Sequence, residues 1–161
     1  MELDAKDRSI LLLLQENARI SNAEIARRIE LAPSAVFQRI RKLEEAEVIQ
    51  GYEARIDPRP LGFGLVAFVR VQTGEGASAP EITGALGRLP VVQEIHRVVG
   101  EDCFFVKVRV EDTGALADLL DRQIQPIPGV ATTKTTIVLT TSKETRALPL
   151  DGHPSAPSSL D

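Results

Sequence analysis

From Ser21 to Leu43 the apolar positions keep helical time, with one break. Ile25, Ala26 and Ile29 share a face that leaves Arg27 and Arg28 outside it. Ser21 and Glu24 have the spacing of a capping box, in which hydroxyl and carboxylate each accept from an orphan backbone N–H. Glu30-Leu31-Ala32 interrupts the pattern, and Pro33 suits the first turn of a new helix. Val36, Ile40 and Leu43 then recur at i, i+4 and i+7. Upstream, Asp4 with Asp7 reads as another capped start before Ile10–Leu14, a run apolar on more than one side. Helices over 4–16, 22–29 and 33–46 are predicted, packed as a three-helix, winged-helix-like helix-turn-helix domain over 1–50.

At Val48 the period shortens to two. Ile49–Ile56 alternates as a strand, and Asp57-Pro58-Arg59-Pro60 stiffens a hinge, so 51–62 is read as a linker. Beyond it strands are predicted at Leu65–Thr73, Val91–Val99, Cys103–Val110 and Gly129–Thr141. Helices are predicted at Pro80–Leu89 and from Thr113, where Leu116, Leu119, Leu120 and Ile124 line one side until Pro126. The order β-α-β-β-α-β over 63–142 defines a ferredoxin-like sandwich, two helices on one face of an antiparallel sheet. The fold class is therefore α+β. Two helices cover one sheet face only, so an apolar second face predicts a homodimer formed through it. Residues 143–161 hold three prolines (Pro149, Pro154 and Pro157) and three serines, with low hydrophobicity and no periodicity; a disordered tail is expected.

The formal net charge is -4, so bulk charge does not coat nucleic acid, and any DNA contact must come from a local patch. Arg27, Arg28, Arg39, Arg41 and Lys42 supply one, against Glu30 alone within 27–43. The single cysteine excludes an internal disulfide and a multi-cysteine metal site, and the two histidines, His96 and His153, offer no metal centre. No charged-then-apolar leader and no run of ~18 apolar residues is present, so a soluble, cytoplasmic protein without membrane contact is expected.

The outer face of the second helix of the turn motif presents Ser34, Ala35, Gln38, Arg39, Arg41 and Lys42, with no acid before Glu44. Such a face suits a groove of double-stranded DNA. Gln38 has the geometry to bridge an adenine edge, and Arg39 a guanine edge. Arg41 and Lys42 suit phosphates, and Ser34 with the N–H groups near Pro33 suits a phosphate at the helix start.

These segments together resemble the Lrp/AsnC, or feast/famine, transcription regulators. The carriers are Leu3-Asp4…Asp7…Ile10-Leu11, Arg19-Ile20-Ser21…Glu24-Ile25-Ala26, Pro33-Ser34…Arg39-Ile40…Leu43-Glu44 and Val48-Ile49…Gly51-Tyr52. Gly100, Ile127-Pro128-Gly129-Val130 and Thr133…Thr135-Thr136 continue the match. The resemblance implies dimers, assembled further into tetramers or octamers, that bind DNA and sense a small-molecule effector, commonly an amino acid. It places effector contacts at Gly100, Glu101, Asp102 and Cys103, with His96, Thr133, Thr135 and Thr136. Cys103 stands where the family often has an aspartate, so either Glu101 or Asp102 receives an ammonium group or the effector is of another kind. Glu30 replaces a common glycine at a left-handed turn, at a cost of about 1–2 kcal/mol, and Glu47 replaces another near the end of the recognition helix. Ala32 replaces a serine cap, a loss of about 1 kcal/mol.

Cys103 beside His96 raises nucleophilic catalysis, but no oxyanion loop or orienting group accompanies them, so no catalytic residue, cofactor or metal is assigned. The alternatives to a DNA-binding sensor are a ligand-binding subunit that regulates an enzyme, and an architectural DNA-binding protein without effector.

Overall fold

The computed structural model describes residues 2–100 and 104–150. The chain divides into two compact units: one is built from the segment up to Arg55 together with the segment from Glu144, the other from Ile56–Lys143.

The first unit packs α1 (Ala5–Glu16), α2 (Asn22–Ile29) and α3 (Pro33–Glu45) around Ile10, Ile25, Ala26, Ile29, Val36, Ile40 and Leu43. Asp4 and Asp7 close a reciprocal capping box at the start of α1. At α2 only half of the expected box forms. The Ser21 hydroxyl accepts from Glu24 N–H at 3.1 Å, while the Glu24 carboxylate turns to Arg27 and Arg28. A carboxylate with two guanidiniums in reach gains more from them than from one neutral N–H. The helices stop where the chain turns left-handed: Glu30 and Glu47 both sit at φ 54°. The expected strand at 49–56 is absent; Gln50–Asp57 is exposed and irregular, because a strand needs a ladder partner and none is present among the described residues.

Part of the expected disordered tail is held. Arg146 Nη1 donates to Glu53 Oε2 at 2.8 Å, and the backbone of Leu148 is gripped by Gln15 of α1. The rest of that segment, 151–161 with His153, lies outside the described residues.

The second unit follows the predicted order with trimmed ends: β1 (Leu65–Thr73), α4 (Ala79–Gly87), β2 (Val92–Arg97), β3 (Phe104–Val110), α5 (Thr113–Leu119) and β4 (Val130–Ile137). A 3-10 turn at Arg59–Leu61 precedes β1, and α5 widens into a π turn at Leu120–Ile124. The sheet order is β2-β3-β1-β4, antiparallel throughout. Ala67, Val69 and Val71 stand opposite Val108, Val106 and Phe104 on the face that meets the helices, where Ile82, Leu86, Leu116, Leu119 and Ile124 complete the core.

The other face is less apolar than expected. Phe68 and Phe105 stack at its centre, ring centroids 5.1 Å apart and planes 19° apart. Around them the register sets Glu94 opposite Lys107, His96 opposite Phe105, and Arg70 opposite Lys134. An aromatic centre inside a polar frame is the composition of a recognition surface more than of a sheet core.

Candidate nucleic-acid interface and effector strands

Pro33 starts α3 with its φ already set, and Val36, Ile40 and Leu43 bury one stripe against α1 and α2. That stripe fixes what faces outward. Ser34, Gln38, Arg41 and Lys42 are exposed, Ala35 is half-buried, and no carboxylate occurs before Glu44. Arg41 pairs with Glu45 one turn on, at 2.8 Å and open to solvent, a contact easily exchanged for a phosphate.

Arg39 is placed differently from its neighbours. Its Nη1 donates to Asp4 Oδ2 at 2.7 Å and to Asp7 Oδ1 at 2.6 Å, so the side chain expected at a guanine edge is tied within the protein. The carboxyl of Asp4 is held below the ordinary range by the Asp7 N–H and by Arg39. Asp4 and Asp7 were legible as a helix cap, but their partner 35 and 32 residues away was not.

On α2, Glu24 accepts from Arg27 at 2.7 Å and from Arg28 at 2.7 Å. These two hydrogen bonds pull the Glu24 carboxyl down to about 2, that from Arg27 contributing most. The arginines of α2 therefore form an exposed cluster partly neutralised by one acid. Phe37, half exposed, borders a shallow hollow with Leu14, Ile20, Ile40 and Tyr52, a feature that the sequence pattern did not single out.

The expected effector residues are not gathered in one place within this chain. His96 lies on β2, one edge of the sheet, while Thr133, Thr135 and Thr136 lie on β4, the other edge. Two strands separate them, a span of about 14 Å at the usual spacing. They also divide by face. His96 and Thr136 share the face of the Phe68–Phe105 stack, whereas Thr133 and Thr135 pair with Val71 and Val69 and point to the helix side. Gly100 is exposed with φ 139°, and Glu101, Asp102 and Cys103 lie outside the described residues.

Around His96 the polar side chains do converge. Glu94 Oε2 lies 3.2 Å from His96 Nε2, and Glu94 Oε1 accepts from Lys107 Nζ at 3.1 Å. Hydrogen bonds from His96 and Lys107 hold the Glu94 carboxyl below the usual carboxylate range. The Lys107 side chain is only 11% exposed, and an anionic partner such as that carboxylate offsets its lost solvation. Among the described residues no group of three His, Cys, Asp or Glu side chains is placed to hold a metal, and no helix is long and apolar enough to cross a membrane.

Two family models match the chain. Residues 3–50 match a winged helix-turn-helix DNA-binding model, and residues 66–148 match the Lrp/AsnC ligand binding domain. The leucine-responsive regulatory proteins of Salmonella typhimurium and Escherichia coli are 36% identical over 149 residues, covering 91% of this chain and 91% of each relative. Among solved structures, a Neisseria meningitidis transcriptional regulator in complex with L-methionine superposes with a TM-score of 0.88 at 30% identity, covering 92% of this chain and 97% of that one. A feast or famine regulatory protein of Mycobacterium tuberculosis, complexed with L-methionine, gives 0.84 at 36% identity, covering 91% and 98%.

Proposed function

The chain belongs to the Lrp/AsnC family of transcription regulators, and on that premise we propose that the outer face of α3 reads duplex DNA under control of the βαββαβ unit. A DNA-binding domain and a small-molecule-sensing domain are joined in one regulator. The observation that carries the reading is the outer face of α3, with Ser34, Gln38, Arg41 and Lys42 exposed on a helix whose first eleven residues carry no acid. In this reading Gln38 and Ala35 meet base edges, Ser34 meets a phosphate at the helix start, and Arg41 and Lys42 hold phosphates.

The effector class is an amino acid, supported by the L-methionine bound in two similar structures. The proposed contacts are Gly100–Cys103 with His96 from one sheet edge and Thr133, Thr135 and Thr136 from the other. Edges this far apart in one chain serve one ligand only if copies of the chain supply them jointly. A homodimer through the Phe68–Phe105 face, in the cytoplasm beside the DNA, meets that requirement for His96 and Thr136, which share that face, while Thr133 and Thr135 on the helix side need a further copy, as in tetramers or octamers. Cys103 favours a second reading, an effector without the free ammonium group that an aspartate at that position would receive.

The test is fluorescence anisotropy of the full chain on the duplex upstream of its own gene and on a scrambled duplex, with and without L-methionine, L-leucine or a pool of the remaining amino acids. Preference for the upstream duplex that changes with one of these additions is expected. Lys42→Ala is expected to lower the slope of log affinity against log salt by about 1. Equal binding to both duplexes together with an unchanged slope in Lys42→Ala would overturn the α3 assignment.

A further inference from the structure

The three helices of the first unit begin in three different ways. α1 starts in a closed capping box, where Asp7 N–H donates to Asp4 Oδ1 at 2.8 Å and Asp4 N–H donates to Asp7 Oδ2 at 3.1 Å. α2 starts under the Ser21 hydroxyl. α3 starts at Ala32 with no side-chain cap at all.

The polar tether of α3 comes from its middle instead. Arg39 takes the remaining oxygen of each capping carboxylate, Asp4 Oδ2 and Asp7 Oδ1. Each aspartate is therefore divided, one oxygen closing α1's first turn and one holding α3. Asp7 is 14% exposed and Arg39 33%, so the bond to Asp7 is shielded more than a surface pair, while Asp4, 53% exposed, holds Arg39 at the solvent side. Gln38 and Lys42 border the same hollow as Asp4, Asp7 and Arg39. The carboxylates thus lie at the flank of the face proposed for DNA.

The physical consequence concerns orientation. Burial of Val36, Ile40 and Leu43 sets which side of α3 turns inward but leaves the fine adjustment of its roll open, because apolar attraction is non-directional. A charge-assisted pair of hydrogen bonds is directional. Gln38 precedes Arg39 by one residue, about 100° around the helix, so a roll that breaks the Arg39 contacts carries Gln38 off its line of approach. Arg39 also offsets one of the two negative charges that Asp4 and Asp7 place at the flank of that face.

We infer that Arg39 is a positioning residue for DNA recognition, anchored on the capping box of α1, and that it does not read a base. The inference rests on the proposal that α3 is the reading helix. Its rival has the opposite sign: if Arg39 leaves the aspartates to meet DNA, Asp4 and Asp7 compete with DNA for it, and their removal sharpens recognition.

The experiment uses the full chain and a duplex selected from a random-sequence pool by the wild-type protein. The readout is the ratio of affinities for the selected and a scrambled duplex. Absolute affinity is not suitable, since losing a carboxylate near DNA strengthens binding to every sequence alike. Asp4→Asn/Asp7→Asn keeps the cap, because asparagine caps as well as aspartate, and removes both charges. Arg39→Met keeps the stem, and Arg39→Lys keeps a charge without the fork. Melting curves establish that each variant is folded, and Arg39→Lys with the asparagine pair suffices if Arg39→Met is not. The expected result is a ratio lowered about tenfold by the asparagine pair and by Arg39→Met, lowered no further when they are combined, and partly restored by Arg39→Lys. A ratio unchanged or raised in the asparagine pair, with a loss in Arg39→Met, would overturn the inference and make Arg39 a DNA contact. Failure of the underlying reading looks different: no duplex is enriched, or Gln38→Ala and Lys42→Ala bind as the wild type does, and the inference falls with it.

Discussion

The side-chain amide of Gln15 holds the backbone of Leu148 at both of its polar atoms. Gln15 Oε1 accepts from Leu148 N–H at 2.6 Å, and Gln15 Nε2 donates to Leu148 C=O at 3.2 Å. The amide thereby imitates a strand neighbour for one residue. With Arg146 on Glu53, it ties the segment after Lys143 to the helical unit across 133 residues of sequence. The helical unit is joined to the sheet unit twice, through the hinge after Arg55 and again before Glu144.

Gln15→Ala is expected to release that segment. The contacts are exposed, so the loss of stability is about 1 kcal/mol or less. The sharper readout is limited tryptic digestion. Cleavage after Arg146 is expected to quicken severalfold in Gln15→Ala, and an unchanged rate would show that the contacts hold nothing in solution.

Glu30 and Glu47 sit at φ 54° where a Cβ is costly. Glu30→Gly and Glu47→Gly are each expected to stabilise the protein by about 0.5–1.5 kcal/mol, the strain relieved less the extra freedom of glycine in the unfolded chain. Thermal melts followed by circular dichroism measure this. A lower melting temperature in either variant contradicts the strain argument at that position.

Tyr52 is the sole tyrosine, so its phenol can be titrated by absorbance without interference. Burial first, and the hydrogen bond to Glu44 second, push its pKa from 10.0 up to about 12. The folded form therefore holds the proton more tightly than the unfolded form does. Below about 10 both are protonated and the stabilisation is complete; between about 10 and about 12 the unfolded chain ionises first and stability falls. Glu44→Gln is expected to move the midpoint part of the way back toward 10.0. A wild-type midpoint already at 10.0 would mean that Tyr52 is not packed as described.

Gly129 enters β4 at φ 91°, and a Cβ there would lie 2.9 Å from Ala77 Cβ and 3.2 Å from Ile82 Cδ1. Strain and crowding act together. Gly129→Ala is expected to destabilise the sheet unit by about 2–4 kcal/mol in denaturant unfolding. A loss under about 1 kcal/mol would show that the turn relaxes freely.

Much of this protein was legible from its sequence. Periods of 3.6 and 2 report which side of a segment is buried, and burial is what makes the segment a helix or a strand. That local logic gave the helices at Ala5–Glu16, Asn22–Ile29 and Pro33–Glu45 and the β-α-β-β-α-β order. It also separated Val36, Ile40 and Leu43 from the outward Ser34, Gln38, Arg41 and Lys42. The tertiary structure alone decided which polar groups meet. Arg39 found Asp4 and Asp7, and Gln15 found Leu148, because helix docking brings together side chains far apart in sequence. The order β2-β3-β1-β4 set His96 and the β4 threonines at opposite edges, a separation no strand pattern encodes. Ile49–Ile56 has the alternation of a strand but no ladder partner among the described residues, and so forms no strand. Periodicity records a segment's contact with the core; pairing depends on how cores and edges are arranged in space.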